Sequence, residues 1–159
     1  MKLTHIDSQG KARMVDVSEK KETRREAKAY GRVKMSGATY GLVKTGHGPK
    51  GDIFTVAKIA GIMGAKKTHE LIPLCHPLSL SHIDVEYSFD DRKHTIGITS
   101  TVRTKGQTGV EMEAMNCSMV VALTIYDMCK AIDKGIELGP FYLMEKSGGK
   151  SGTFVRNQD

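Results

Sequence analysis

The longest apolar stretch of the chain reads TGVEMEAMNCSMVVALTIYDMCK and occupies residues 108–130. Its apolar side chains recur at spacings of three and four, which predicts an α-helix buried on most sides. The predicted stripe consists of Cys117, Val120, Val121, Thr124 and Met128, and it is widened by Met119, Leu123 and Tyr126. Because neither Pro nor Gly interrupts the pattern before Gly135, we expect that glycine to cap the C-terminal end of the helix.

Apolar and acidic residues alternate at the start of this stretch, in the order Val110, Glu111, Met112, Glu113. Alternation with a period of two is typical of a strand. We therefore predict that a strand ends here and that the helix begins near Glu113.

The charged residues at the other end, Asp127 and Lys130, are three positions apart and are therefore neighbours on a helix surface. They form either an ordinary surface ion pair or a buried functional pair, and the sequence leaves both interpretations open. Glu113 and Asp127 would lie on nearly the same face of the helix, but ~21 Å apart along its axis. One small substrate could not touch both, so either the ligand is long or a second copy of the chain completes the site.

Length and charge restrict the possible partners. The chain of 159 residues shows no linker, so we predict a single domain over residues 1–159, with 1–13 and 147–159 as candidates for flexible ends. The net charge of +6 predicts an anionic partner, which is a nucleic acid, a phosphorylated metabolite or a membrane surface. The lack of Trp and the few Tyr and Phe residues argue against a protein that stacks single-stranded bases.

The sequence also indicates the compartment. No stretch has the length and apolarity of a membrane span, and the N-terminal residues do not resemble a signal peptide. Three cysteines without a paired spacing, Cys75, Cys117 and Cys129, do not predict disulfides. We therefore predict a cytoplasmic protein that no segment anchors in a membrane.

The elements around the long helix predict an α+β protein. Before it we predict a strand at residues 14–18, a solvated charged run at 18–28, a strand or helix leading to Met35, a helix or turn at 36–45, a loop at 46–52 and a helix capped by Asp52. The predicted apolar face of the capped helix consists of Ile53, Val56, Ala57, Ala60 and Met63. A hairpin of residues 83–89 and 96–102 and a last strand at 141–145 complete the pattern. This order predicts an antiparallel sheet with helices packed on one face.

Two loops carry candidate site residues. Lys50 precedes the capped helix among glycines, where it is either a phosphate contact or an ordinary loop lysine. Leu74, Cys75 and His76 lie between Pro73 and Pro77, which stiffen the backbone, so His76 is a candidate acid, base or anion donor. A zinc site formed with His69 and His82 is disfavoured because no close ligand pair exists.

Three separate segments together resemble one known family. They are KGDIFTVAKIAGIMGAKKTHELIPLCHPL at residues 50–78, TGVEMEAMNCSMVVALTIYDMCKAI at 108–132 and KSGGKSG at 146–152. In that order they resemble the cyclic pyranopterin monophosphate synthase family, the C protein of molybdenum cofactor biosynthesis. The resemblance extends over nearly the whole chain, from THID at 4–7 and MVDVS at 14–18 to the terminal KSGGKSG.

The resemblance implies a lyase that converts (8S)-3',8-cyclo-7,8-dihydroguanosine 5'-triphosphate to cyclic pyranopterin monophosphate and releases pyrophosphate. It implies a ferredoxin-like fold and a hexamer built as a trimer of dimers, with active sites at the dimer interfaces. It implies no required cofactor and leaves open whether Mg²⁺ accompanies the triphosphate.

The resemblance also implies roles for individual residues. Asp127 matches the catalytic acidic residue, and Lys50 and Lys130 match catalytic lysines. Substrate-contacting positions are matched by Leu74, Cys75, His76, Met112 and Glu113. We further predict that Lys66, His76, Lys146 and Lys150 hold the triphosphate, and that Glu111 and Glu113 accept hydrogen bonds from the guanine edge. The alternative for Lys146 and Lys150 is a disordered basic tail.

Two other function classes compete with this prediction. A basic nucleic-acid-binding module would explain the net charge but not the acidic residues beside the apolar helix, and it would bind DNA or RNA in a salt-sensitive manner. A metal-dependent hydrolase would explain the carboxylates and His76, and it would lose activity with a chelator.

Overall fold

The computed structural model describes residues 6–157, and its main feature is an antiparallel sheet with two long helices against it. In chain order the elements are β1 (Thr23–Lys34), α1 (Gly37–Val43), β2 (His47–Gly48), β3 (Gly51–Asp52), α2 (Ile53–Lys66), α3 (Thr68–Leu71), β4 (Leu80–Asp90), β5 (Thr95–Gly106), α4 (Glu111–Cys129), β6 (Glu137–Leu138), β7 (Tyr142–Ser147) and β8 (Phe154–Val155). Of the predicted arm and tail, residues 1–5 and 158–159 lie outside the described part of the chain.

Strand β1 lies in the interior of the sheet, whose strand order is β4-β5-β1-β7-β8. It pairs antiparallel with β5 over its whole length and with β7 on its other side, while β6 pairs briefly with its end. The four main strands and two long helices follow one another as β1-α2-β4-β5-α4-β7, which is the order of the ferredoxin-like fold. The predicted α+β class and ferredoxin-like sheet are therefore confirmed.

Helices α2 and α4 cover one face of the sheet, and the apolar core lies between the two layers. On β1 the alternate residues Ala27, Ala29 and Val33 are fully buried, because a strand directs every second side chain to the same face. Helix α4 contributes Val121 and Ile125 to this buried layer. The other face of the sheet is left to charged and polar side chains.

Several predicted elements are confirmed. The hairpin is β4 and β5, the last strand is β7, and the short helix in 36–45 is α1. Asp52 caps α2, since its Oδ1 accepts the backbone N–H of Thr55 at 3.0 Å. The segment leading to Met35 is the strand β1, which begins inside the charged run at Thr23.

The strand predicted at residues 14–18 is wrong. Within the described residues this segment pairs with no strand. The carbonyl of Val15 instead accepts a hydrogen bond from the ring of His76, with His76 Nε2 at 2.7 Å. A side chain from a distant loop has replaced the partner strand that the alternation would require.

Both predicted ends of the long helix are also wrong. Helix α4 begins at Glu111, so the alternation before Glu113 is not a strand. Two acidic residues in the first turn suit the positive end of the helix dipole, and four alternating letters are too few to separate a strand period from a helix period. At the other end, α4 stops at Cys129 and Lys130 takes the C-cap position, not Gly135.

The predicted apolar stripes are only partly buried. On α2, Ile53 and Ala57 are fully buried, whereas Val56 and Met63 are 43% and 54% exposed. On α4, Leu123 is 59% exposed. The two helices contact each other through small residues: a Cβ added at Gly61 would lie 2.4 Å from Val121 Cγ2. The larger apolar residues therefore point away from the contact and remain uncovered within one chain.

The three cysteines are unpaired, with Cys117 and Cys129 buried in α4 and Cys75 half-buried. Among residues 6–157, none of the helices has the length and apolarity needed to cross a membrane.

Candidate active site

Three predicted catalytic residues meet at the C-terminal end of α4 and form what we call the lysine–aspartate cluster: Lys50, Asp127 and Lys130. Lys50 Nζ donates to Asp127 Oδ2 at 2.9 Å. Lys130 Nζ lies 2.7 Å from Asp127 Oδ1. Each carboxylate oxygen thus has its own lysine, and all three side chains remain about half exposed to solvent.

In this cluster the charged forms of Asp127 and Lys130 stabilise each other. Hydrogen bonds from Lys130 and Lys50, supported by their charges, lower the pKa of Asp127 to about 2. The same contact with Asp127 raises the pKa of Lys130 above its ordinary value. Asp127 is therefore an ionised acceptor at neutral pH, and Lys130 is a charged donor.

The small hairpin β2–β3 positions Lys50. Lys50 lies in its tight turn, and Ile53 anchors the following helix because its side chain is fully buried and its N–H donates to the Gly46 carbonyl at 3.1 Å. A Cβ added at Gly48 would lie 2.5 Å from Ile53 Cδ1. Only glycine therefore allows the hairpin to pack this closely on Ile53.

A second group of predicted residues lines a cleft of about 360 Å³ at the opposite end of α4, which we call the Glu113 cleft. It contains all three residues of the proline-flanked loop and the three residues of the first helical turn. The lining residues are Val15, Val17, Lys20, Leu74, Cys75, His76, Leu78, Thr108, Gly109, Glu111, Met112 and Glu113. The N-terminal segment closes one side of it through the hydrogen bond between His76 and Val15.

Glu113 is a buried carboxyl group in this cleft with an unused acceptor. Its side chain is 4% exposed, and Oε2 has no hydrogen-bond partner among the described residues. Burial raises the pKa of Glu113 to about 7, and the neighbouring charge of Glu111 acts in the same direction. A buried polar atom without a partner is costly, so the group is well suited to meet a ligand.

Glu111 is already paired, since Lys146 Nζ lies 2.8 Å from Glu111 Oε1. The ammonium group of Lys146 also donates to Ser151 Oγ at 3.2 Å. These contacts join the first turn of α4 to β7 and to the glycine-rich segment after it. Lys146 thus reaches the Glu113 cleft from the C-terminal part of the chain.

The remaining predicted phosphate ligands lie apart from the Glu113 cleft. Lys150 lines a neighbouring cleft of about 690 Å³, together with Lys20, Lys21 and Arg25. Lys20 lines both clefts, so the two adjoin. Lys66 is exposed on the last turn of α2, lines neither cleft and makes no ion pair with the described residues.

The lysine–aspartate cluster and the Glu113 cleft are not one pocket of a single chain. Helix α4 is continuous from Glu111 to Cys129, so Glu113 and Asp127 are ~21 Å apart along its axis. Within residues 6–157, no group of three or more His, Cys, Asp or Glu side chains is arranged to hold a metal ion.

Comparison with known proteins places this chain in a family. The family model described as MoaC family matches residues 14–149. The chain belongs to the MoaC family. The matched range holds every predicted site residue except Lys150, and the resemblance and the prediction of an enzyme are confirmed.

Three relatives of the chain carry the name cyclic pyranopterin monophosphate synthase. The protein of that name from Heliobacterium modesticaldum is 54% identical over 98% of both chains. That from Pelotomaculum thermopropionicum is 56% identical over 97% of this chain and 91% of its own. That from Brevibacillus brevis is 52% identical over 98% of this chain and 97% of its own. The MoaC family assignment therefore rests on almost the full length of the chain.

Sequence reasoning missed several residues of these clefts, among them Lys20, Val15 and Ser151. Lys20 belongs to the charged run at residues 18–28, whose composition predicts a solvated face. Only its position in the lining of the Glu113 cleft distinguishes it from Lys21, which lines the neighbouring cleft alone. Val15 would have been recognisable only through its long-range bond to His76.

Proposed function

We propose that this member of the MoaC family is a cyclic pyranopterin monophosphate synthase in molybdenum cofactor biosynthesis. It would convert (8S)-3',8-cyclo-7,8-dihydroguanosine 5'-triphosphate to cyclic pyranopterin monophosphate and pyrophosphate. The names of the relatives support the activity. The observation that carries the chemistry is the convergence of Lys50 and Lys130 on the two oxygens of Asp127.

The lysine–aspartate cluster provides the proton transfers. Opening and reclosing the base requires protons to move at ring nitrogens and at a hydrated carbon. Because Asp127 stays ionised, it acts as the acceptor that holds both ammonium groups in place, and the lysines act as the donors. A lysine that has given up its proton to substrate is then the base for the next step.

The Glu113 cleft would receive the guanine-derived ring. The amide and amino N–H groups of guanine are donors, and Glu113 Oε2 is a buried acceptor without a partner among the described residues. Glu111 would join it when Lys146 moves from Glu111 to a phosphate. Leu74, Cys75 and Met112 shape the walls, which favours a flat, partly apolar ring.

The lysines and His76 would hold the triphosphate. A substrate hydroxyl gives its proton to a deprotonated lysine and attacks the α-phosphorus, the bond to the pyrophosphate oxygen breaks, and pyrophosphate leaves with the negative charge. Lys146 and Lys150, with His76 and Lys66, would stabilise that charge. Lys20, which lines both adjoining clefts, is a further candidate.

We propose that two copies of the chain build each site. One substrate would contact the lysine–aspartate cluster of one copy and the Glu113 cleft of the other, which removes the difficulty of the ~21 Å separation. The exposed apolar residues of α2 and α4 favour further association, as in a hexamer built as a trimer of dimers. Lys66, isolated in one chain, would face substrate across such an interface.

No resident cofactor is needed for these steps, and Mg²⁺ would enter only with the triphosphate. Unpaired cysteines favour a reducing compartment, in keeping with a cytoplasmic enzyme.

The deciding experiment is to incubate the purified protein with the cyclised dihydro-GTP and to measure pyrophosphate and the cyclic pyranopterin. We expect both products in equal amounts, with turnover retained after chelator treatment of the protein. No product would overturn the proposal. Salt-sensitive binding of an oligonucleotide without turnover would favour a nucleic-acid-binding module, and chelator-sensitive hydrolysis would favour a metal-dependent hydrolase.

A further inference from the structure

A basic cleft that contains none of the proposed active-site residues lies where β1 begins and β5 ends. It has a volume of about 610 Å³ and is lined by Arg24, Arg25, Glu26, Ser81, Arg103, Thr104, Lys105 and Ser147. Four of these eight side chains carry a positive charge and one carries a negative charge. The volume is in the range of small-molecule sites, which is roughly 300–1,000 Å³.

Two of the positive side chains oppose each other across the sheet. In the register of β1 and β5, Arg24 is the direct partner of Lys105. Direct partners of an antiparallel pair have Cβ atoms about 4.5–5.5 Å apart on the same face, and like charges there are destabilising. The Arg24–Lys105 pair therefore lowers stability unless an anion is bound between the two side chains.

The single acidic residue of the cleft does not relieve this repulsion. Glu26 is the cross-strand partner of Arg103 and forms an ion pair with it. Among residues 6–157, neither Arg24 nor Lys105 forms an ion pair. Their positive charges remain available to a ligand.

The backbone under these side chains is held in place. Arg25 donates from Nε to the Gly106 carbonyl at 2.9 Å and from Nη2 to the Gln107 carbonyl at 3.0 Å. Ser81 Oγ donates to the Arg103 carbonyl at 3.1 Å. The strand ends therefore present Arg24 and Lys105 from a fixed scaffold.

The cleft opens on the side of the sheet away from α4. Because Ala27 and Ala29 face the helices, Arg24 and Glu26, which are in the alternate register, face the opposite side. The Glu113 cleft lies at the N-terminal end of α4 and shares no lining residue with the basic cleft. Arg25 alone borders both this cleft and the one that contains Lys150.

We propose that this cleft binds the polyphosphate group of a small molecule, with Arg24 and Lys105 as the main contacts and Arg103 beside them. A di- or triphosphate carries several negative charges on neighbouring oxygens, which matches cationic side chains on adjacent strands. No aromatic residue lines the cleft, so it lacks the stacking surface that single-stranded nucleic acid uses.

The test is a calorimetric titration of the full chain with inorganic tripolyphosphate. The variant Arg24→Thr/Lys105→Thr removes both opposed charges with a residue that strands accept. We expect this variant to lose the binding of tripolyphosphate at the basic cleft, with an affinity there at least about tenfold lower than that of the parent. Its melting temperature without ligand should not fall, because the like-charge repulsion is gone.

The control is Lys34→Thr, which removes one positive charge from the same face of β1 at its other end. We expect its affinity to change by less than about twofold, because it is far from the cleft relative to the screening length. The conservative variant Arg24→Lys should bind as the parent does. Lys150→Ala, which alters the adjoining substrate cleft, should keep the Arg24–Lys105 class of sites.

Equal tripolyphosphate affinity for the parent and for Arg24→Thr/Lys105→Thr would overturn the proposal. Loss of the same class of sites in Lys150→Ala would also overturn it, because the ligand would then be in the substrate cleft. Tighter binding of a single-stranded oligonucleotide than of tripolyphosphate at equal salt would overturn it in favour of nucleic acid.

Discussion

The carboxylate of Asp127 lies near the C-terminal end of α4, where the helix dipole disfavours negative charge. Two lysines from different segments compensate for this position, and together they keep the carboxylate ionised. A carboxylate that only stabilised the fold would be better placed near the N-terminal end of a helix, where the dipole favours negative charge. We interpret Asp127 as the residue that keeps Lys50 and Lys130 in position for proton transfer.

Replacing Asp127 with Asn tests this role. Asn keeps the shape but not the charge, so both lysines lose their common acceptor. We expect kcat to fall by at least ~10²-fold, the scale of acid–base catalysis, with little change in substrate Kd. Single-turnover kinetics and calorimetry measure the two quantities separately.

The control is Glu137→Gln, which removes one negative charge from an exposed ion pair with Lys34. It should leave kcat unchanged. An Asp127→Asn enzyme with parental turnover would refute the assignment.

Glu113 gives a second prediction at this scale, based on pH. Its pKa is about 7 in the folded protein and 4.5 as an ordinary carboxyl group, so the folded state binds more protons between these values. The free energy of unfolding should therefore fall as the pH rises from 4.5 to 7 and stay level above. The Glu113→Gln variant should be more stable than the parent above pH 7 by up to about 3 kcal/mol, and nearly equal to it below pH 4.5.

Denaturant unfolding from pH 4 to 8 measures this difference. The control is Glu137→Gln, which makes the same Glu-to-Gln change at an exposed position outside the Glu113 cleft. Parallel curves for the parent and Glu113→Gln would show that Glu113 titrates like a free carboxyl group.

At the scale of elements, the hairpin β2–β3 determines where Lys50 lies. In Gly48→Ala the added methyl would collide with the buried Ile53 side chain, so either the hairpin or that side chain must move. A displacement of about 1 Å at a catalytic group can reduce turnover ~10²-fold. We expect kcat to fall by at least about tenfold with a smaller change in melting temperature.

The control is Gly41→Ala in α1, where a Cβ would meet nothing within 4 Å. There the substitution should raise stability by about 0.5–1 kcal/mol and leave turnover unchanged. Turnover of Gly48→Ala at the parental level would show that the hairpin does not control Lys50.

The elements differ in how well the sequence predicts them. The Asp52 cap, β4–β5 and the middle of α4 follow from local signals, because capping and periodicity act within a few residues. The start of α4 does not follow from local signals, because four alternating residues fit both a strand period and a helix period. The lack of a strand at 14–18 does not follow either, because a strand also needs a neighbouring strand to pair with, and local sequence does not show whether one is present. Strand β8 depends on pairing with β7, which local patterns do not record.

At the scale of the whole molecule, the exposed apolar side chains of α2 and α4 favour association. Leu123→Asp would place a charge in that surface, and we expect a smaller particle by light scattering and lower turnover. Leu42→Asp, at a 44% exposed residue on α1, is the control and should keep the parental mass. An unchanged mass for Leu123→Asp would exclude this face from the interface.

The site as a whole could not be derived from spacing. Lys50 and Asp127 are 77 residues apart, and nothing local in either segment indicates that they meet. The spacing of Asp127 and Lys130 predicts an i, i+3 pair, but it fits a surface ion pair and a functional pair equally well. Only the resemblance to a family favours the functional pair over the surface pair. Glu113 is a further example, because its burial and its unpartnered Oε2 depend on the folded structure and not on local sequence.

The most direct test of a site shared by two copies is to mix Asp127→Asn with Glu113→Ala after dissociating and reassembling them together. We expect Glu113→Ala alone to lose turnover because the buried acceptor for the guanine edge is gone. Half of the mixed dimers' sites would combine an intact Asp127 with an intact Glu113. We predict recovery of about a quarter of parental turnover in an equal mixture, as two-fold symmetry requires. Turnover no higher than the sum of the separate variants would contradict a shared site.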